Sequence, residues 1–469
     1  MLKITFNSLL LLYPLGLILL IFIILLTFNY KTRFLFETKN IFHLSMVFIV
    51  FTCYSIKRIP CFETVYFTFH NINLFLLTLI FLFMCLTCFF MYKIVFIMEE
   101  LIILISILFI SIFAISANNL ISLFICFESL NICFFILILT GSNDKRSIEA
   151  ALKYVFVSII ASLCFLMGIF FIYLTCMSFS YKDIALYLSY SKLYSIELEL
   201  FVGFFFITTT FFIKLGIFPF YNWLVEVYSD LTLQPLILVS TLLKFVFTLM
   251  FLSLFTQINL IFALKLNLFL FIGGLGSLIV SCFFLLIETK IKKNIALISL
   301  MSNGFLLLFW CCPNTEVTYI LSLSYISVQA ITLIFTFGFL ALLQFKKDLP
   351  ISLSSLRNYS EINIVFLIFF ICNILGLIGI PPFPGFFPKI SMMYHIYINN
   401  CFVILFFFLF FTITSCVCFL RIILFISKTD DNLAIWTTLN QKYIFFLIFG
   451  FLLFNMYIIY IHYQLQTLL

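Results

Sequence analysis

Stretches of about twenty apolar residues recur along almost the whole 469-residue chain, separated by short loops that hold most of its charge. About twenty residues of helix cross the roughly 30 Å hydrocarbon core of a bilayer. In that solvent each segment has to satisfy its own backbone hydrogen bonds. Charged residues make up 9% of the chain and hydrophobic ones 65%. A soluble domain carries about 25% charged residues, so there is too little polar surface here to cover a water-facing globule. The expected fold class is an all-α membrane protein of about fourteen transmembrane helices, forming one bundle.

The apolar stretches lie near 8–29, 42–56, 73–97, 100–117, 119–140, 148–176, 198–217, 234–256, 265–287, 291–311, 317–345, 362–396, 401–427 and 440–461. The first is too long for a signal-peptide core and reads as a retained span. The seventh runs into Phe218-Pro219 and continues as the half-apolar Phe220–Tyr228. The twelfth is too long for one crossing and contains Pro381, Pro382, Pro384 and Pro388. Proline removes a helix hydrogen bond and clashes with the preceding turn, so both spans are predicted to be broken. Interrupted helices 7 and 12 suit two inverted five-helix repeats. The chain then divides into three N-terminal helices (1–99), a first repeat (100–256), a second repeat (257–430) and a C-terminal helix (431–469).

Loop charge sets the orientation. Loops after odd spans hold Lys31, Arg33, Lys39, Lys93, Lys145, Arg146, Lys290, Lys292, Lys293, Lys346, Lys347, Arg357 and Lys428, with Lys442 at the same end of the last span. The opposite side holds Lys3, Lys57, Arg58, Lys182, Lys192 and Lys265. The first set faces the matrix or cytoplasm, which puts both termini on the other side. The net charge of +7 is thus loop charge, with no basic, aromatic-interleaved stripe for nucleic acid. Cys85 and Cys88 form a CxxC inside an apolar span without a second pair, and His43, His70, His395 and His462 are scattered. No haem, zinc or iron–sulfur motif is visible. The abundance of phenylalanine, 70 residues, fits the T-rich codons of an A+T-rich, organelle-type genome.

Against this apolar background stand Glu128, Lys153, Lys214, Lys244, Lys389 and Arg421. A charge at the bilayer centre costs roughly 3 kcal/mol on insertion scales. Lys244 and Glu128 lie about ten residues, about 15 Å, from either end of their spans, too far to snorkel. They are expected to face protein or water. A desolvated lysine exchanges its proton near neutral pH, and a neighbouring carboxylate counters that tendency. A lysine and a glutamate on adjacent helices therefore make a proton switch, and broken helices supply backbone groups that hold water at membrane depth. Lys214 precedes Pro219 and Lys389 follows Pro388, so each break carries a lysine. His395 is a candidate extension of the path. Lys153 lies nearer the matrix end. Arg421 reads as structural, Glu99 and Glu100 as solvated, and Trp223 as an interfacial anchor.

Four stretches carry a resemblance: Phe127-Glu128-Ser129-Leu130; Ser147-Ile148-Glu149-Ala150-Ala151-Leu152-Lys153-Tyr154; Phe212-Ile213-Lys214-Leu215-Gly216-Ile217-Phe218-Pro219-Phe220-Tyr221-Asn222-Trp223, with Lys244 after it; and Gly379-Ile380-Pro381-Pro382-Phe383-Pro384-Gly385-Phe386-Phe387-Pro388-Lys389. In this order they resemble the subunit 2 family of respiratory NADH:ubiquinone oxidoreductase (complex I), one of its antiporter-like membrane subunits. The resemblance covers roughly residues 100 to 430. It implies a role in proton translocation across the mitochondrial inner membrane, with both termini in the intermembrane space. Glu128 would modulate Lys214, and Lys153 and Lys244 would link toward Lys389 on the exit side. It also implies that NADH, FMN, iron–sulfur clusters and ubiquinone are bound by other subunits and none by this chain. The implied partners are the other membrane-arm and accessory subunits and the lipid bilayer, cardiolipin included. Departures from the family pattern are Tyr221 in place of histidine, Val225-Glu226 in place of Pro-Asp, Leu233-Gln234-Pro235 in place of Gly-Ala-Pro, and Asn303 where the tenth helix commonly has histidine. The competing readings are a sister antiporter-like subunit, a cation/proton antiporter of the same superfamily, and a spacer whose charges only hold helices together.

Overall fold

The computed structural model describes residues 62–63, 66–69, 98–140, 145–191, 198–258, 266–312, 316–344, 364–381 and 383–427. The apolar stretches expected at 8–29, 42–56, 73–97 and 440–461 lie outside the described residues. Every stretch expected between residues 100 and 427 is helical. Among the described residues, 8 helices are long and apolar enough to cross a membrane.

A two-residue hairpin, β1 (Phe62–Glu63) and β2 (Thr68–Phe69), precedes α1 (Met98–Ile115), α2 (Leu120–Thr140) and α3 (Lys145–Cys176). A short helix, α4 (Tyr181–Ser191), then lies where no span was expected. It starts at Ser180, whose hydroxyl donates to Asp183 while accepting from the Asp183 amide at 3.2 Å, so polar residues start the helix without an apolar run. Next come α5 (Leu198–Leu215) and α6 (Asn222–Asp230), the two arms of the first broken span. α7 is continuous through Leu233–Leu238, a π-helical turn at Val239–Leu243, and Lys244–Ile258. It is followed by α8 (Asn267–Leu285), α9 (Ile291–Trp310) and α10 (Glu316–Gln344). The second broken span is α11 (Ile364–Ile378) and α12 (Phe386–Ile398), and α13 is Phe402–Ser427.

Both breaks use one device. α5 ends at Gly216 with φ +63°, and α11 at Gly379 with φ +80°, a left-handed conformation that costs glycine nothing. The Gly216 amide donates to Ile213 and the Ile217 amide to Phe212; at the second break, Gly379 and Ile380 both donate to the Leu375 carbonyl. These are helix C-terminal caps. The prolines that follow prevent the helix from resuming until a new arm starts.

The polarity runs opposite to that of a soluble bundle. α3 turns Leu152, Phe156, Ile160, Leu163, Met167 and Phe170 outward. α7 and α9 are almost wholly enclosed, and it is they that bury Ser240, Thr241, Lys244, Thr248, Ser299, Ser302 and Asn303. With lipid outside, apolar residues lose nothing by facing out, and polar ones gain by facing each other. Small residues let backbones approach. A Cβ on Gly168 of α3 would sit 2.8 Å from the Gly203 carbonyl of α5, and one on Gly274 of α8 would sit 3.2 Å from the Gly304 carbonyl of α9.

Candidate functional site

Lys214 is the penultimate residue of α5 and is 1% exposed. Helices α2, α3 and α7 each close a ring over its ammonium. The Tyr154 centroid is at 4.7 Å, Phe127 at 5.5 Å and Phe247 at 5.6 Å. Nζ donates to the Tyr154 hydroxyl at 3.5 Å. Glu128, beside Phe127 on α2, is half-buried and interacts electrostatically with both Lys214 and Tyr154. It stands beyond ion-pair distance of Lys214, and its Oε1 is buried without a hydrogen-bond partner.

Lys244 follows the π turn of α7, an irregularity common beside functional groups. Its Nζ donates to the Ser299 carbonyl and to Ser302 Oγ on α9, both at 2.6 Å. Lys389, in the first turn of α12, donates to the Ile378 carbonyl freed by the second break, at 2.6 Å, with the Phe305 ring of α9 at 4.4 Å. Phe247 is one turn along α7 from Lys244, and Phe305 is one turn along α9 from Ser302. The enclosed charges therefore follow one another across the bundle as Glu128, Lys214, Lys244 and Lys389. Among the described residues none of these three lysines is ion-paired. Neutral oxygens and ring faces hold their ammonium groups. Cavities of about 10 Å³ open beside Lys244 and beside Lys389, each the room of one water.

Lys153 stands apart from this row. Its side chain is 35% exposed, with Nζ 2.9 Å from Glu226 and 3.8 Å from Asp230 on α6. The Lys292 ammonium of α9 reaches the Leu231 carbonyl just past the same helix. His395 lies on α12 with its ring 5.7 Å from Phe309 and its nitrogens 3.0 and 3.4 Å from Asn399 Nδ2. Arg421 donates to the Leu285 carbonyl at 3.3 Å.

Trp223 corrects the sequence reading. It is no interfacial anchor: its indole is buried, donates to the Ile213 carbonyl at the first break at 2.8 Å, and packs on Tyr154 at 6.1 Å. Asn303 Nδ2 takes the neighbouring Leu215 carbonyl at 2.9 Å, and at the second break Gln329 Nε2 takes Leu377 at 3.3 Å. Side chains on other helices thus satisfy the carbonyls that each break releases. Trp223→Phe is expected to remove one of the two hydrogen bonds on the Ile213 carbonyl, which keeps the Gly216 amide, at a cost of about 1 kcal/mol, read as a lower midpoint for thermal inactivation of the solubilised protein.

The sequence reading places Tyr154 in a motif without a role for it, and does not single out Ser302, Tyr325 or Gln329. The available signal was polar side chains three or four residues apart on otherwise apolar helices, as in Ser240, Thr241, Lys244 and Thr248 on α7, or Ser299, Ser302 and Asn303 on α9.

Known proteins share this architecture. The NADH:quinone oxidoreductase/Mrp antiporter transmembrane family matches residues 117–417. NADH-ubiquinone oxidoreductase chain 2 of Dictyostelium discoideum is 31% identical over 300 residues, which are 63% of this chain and 60% of that one. Against that relative and its counterpart in Dictyostelium citrinum, the match spans 60% and 56% of the relative's length. Among solved structures, a chain of respiratory complex I from Thermus thermophilus superposes with a TM-score of 0.73 at 16% identity, covering 93% of this chain and 95% of that one. A chain of the archaeal membrane-bound sulfane sulfur reductase superposes with a TM-score of 0.80 at 16% identity, covering 98% and 96%. At such identities the superpositions establish the fold alone. The family match takes in most of the chain and every residue of the lysine row, so the chain belongs to the NADH:quinone oxidoreductase/Mrp antiporter transmembrane family.

Proposed function

We propose that this chain is the subunit 2 (subunit N) type membrane subunit of a respiratory NADH:quinone oxidoreductase and carries protons along Glu128, Lys214, Lys244 and Lys389. The observation that carries this reading is the row of three enclosed lysines held by neutral groups. A spacer built on buried charge needs each ammonium paired with a carboxylate, because an unpaired buried charge costs stability. Here the carboxylates pair instead at the half-exposed end, where Lys153 meets Glu226 and Asp230. By loop charge that end faces the matrix, and we assign this ion cluster to proton uptake. Lys389, and beyond it His395, lead toward the opposite face.

The recurrence of a left-handed glycine, prolines and a lysine at both breaks supports two inverted five-helix repeats within about fourteen helices. The phenylalanine-rich composition, fitting an A+T-rich, organelle-type genome, supports a mitochondrial-type subunit in the inner membrane. On this reading NADH, flavin, iron–sulfur clusters and quinone belong to partner subunits, and electron transfer there drives the charge movements that load and empty this row.

The test is to solubilise native membranes gently, separate the assemblies on a native gel and stain for NADH oxidation. The chain is expected in the active band of very large mass. Migration in a small assembly without that activity would favour the cation/proton antiporter reading, to be followed by cation-dependent proton flux in vesicles.

A further inference from the structure

The cavity beside Lys244 and the cavity beside Lys389 share three lining residues, Ser302, Tyr325 and Gln329. A proton crossing between the two lysines has to pass these side chains. Ser302 is not free to relay it: its oxygen accepts from Lys244 and its own proton is given to the Ser299 carbonyl at 2.8 Å. Gln329 is a carboxamide, which does not exchange protons readily, and its Nε2 holds the Leu377 carbonyl. The other hydroxyls lining the two cavities belong to Ser240, Thr241, Thr248 and Ser415, and each donates to a carbonyl of its own helix. Tyr325 alone differs. It is 1% exposed, lies in the first half of α10, and its hydroxyl has no hydrogen-bond partner. Asn303, the residue after Ser302 on α9, is committed to the first break.

We infer that the Tyr325 hydroxyl is the relay between Lys244 and Lys389, an assignment that rests on the proton path proposed above. A lysine ammonium at 244 gives its proton to a water in the adjoining cavity, and that water protonates the phenol oxygen. In the same concerted step the original phenol O–H bond breaks, its proton passes to a water in the second cavity, and that water protonates the neutral amine of Lys389. One proton moves, the hydroxyl is regenerated, and no net charge stays on the tyrosine. The absence of a protein partner is what the step needs, because a hydroxyl committed to a carbonyl has no freedom to turn between two waters. A structural role makes the opposite demand, since a buried hydroxyl without a partner weakens the fold.

The opposed demands make Tyr325→Phe informative. The ring stays and only the unpartnered oxygen goes. In the assembled complex in native membrane vesicles, with NADH oxidation and proton uptake measured together, the variant is expected to assemble at the normal level. Its coupled turnover is expected to fall about a hundredfold, the range in which a positioned proton-transfer group acts. Tyr325→His, which restores an exchangeable proton, is expected to recover part of it. Full pumping by Tyr325→Phe, loss of assembly, or equal impairment of the two variants overturns the relay. Lys389→Met is the reference. If it also pumps fully, the proposed path itself fails; if it is inactive while Tyr325→Phe pumps fully, only the relay fails.

Discussion

Lys214→Met is expected to leave the subunit in its complex and to reduce proton-coupled turnover tenfold or more, about 1.4 kcal/mol or more on the limiting barrier. The two halves of that result follow from the same surroundings. Methionine is unbranched, close to lysine in length, and its sulfur packs well against aromatic rings. The Phe127, Tyr154 and Phe247 rings around the ammonium therefore accept it. Removing an enclosed charge that has no carboxylate partner relieves a desolvation cost, so stability holds or rises. The proton path, by contrast, loses the lysine that stands between Glu128 and Lys244. Native-gel abundance measured beside NADH-driven proton uptake checks both halves. A variant that assembles and pumps at the normal rate would exclude Lys214 from the path, and one that fails to assemble would make the lysine structural.

Gly385→Ala is expected to be the most damaging glycine-to-alanine change among the described residues, by about 3 kcal/mol or more, at the upper end of overpacking costs. A Cβ there presses into the Gly376 carbonyl oxygen, with the Gly376 carbonyl carbon and Gly379 Cα 3.3 Å away. All three are backbone atoms of the other arm of the broken span, and none rotates aside. The two arms have to separate. That opens the turn in which Lys389 reaches the Ile378 carbonyl at 2.6 Å. The reciprocal change distinguishes close backbone contact from a general intolerance of alanine. A Cβ on Gly376 meets Pro384 and Thr332 at 3.6–3.7 Å, ordinary contact distances. Replacing a glycine in a helix interior by alanine raises helix stability by as much as about 1 kcal/mol. Gly376→Ala should therefore accumulate normally while Gly385→Ala does not. Equal abundance of the two on a native gel would show that the arms do not cross where the carbonyl and Gly385 meet.

The sequence alone determined the helical membrane class, the positions of the spans between residues 100 and 427 and the two breaks, because these depend on local quantities. Twenty apolar residues span a bilayer whatever surrounds them, and prolines stop a helix without help from neighbours. It also singled out Glu128, Lys214, Lys244 and Lys389, because a charge in an apolar run is costly enough to stand out from composition. It did not determine what those charges face. Lys153 resembles the other lysines in sequence, yet the packing of α6 against α3 brings Glu226 and Asp230 to it at the half-exposed end. Trp223 has the composition of an interfacial anchor, yet the fold turns it inward onto the Ile213 carbonyl. Tyr325 is one of 22 tyrosines, and nothing local marks it. Its position between the two lysine cavities exists only because α7, α9, α10 and α12 converge there. The helical nature of the spans follows from local hydrogen bonding and transfer to lipid. The route a proton can take depends on which polar atoms remain uncommitted, and only the packed structure decides that.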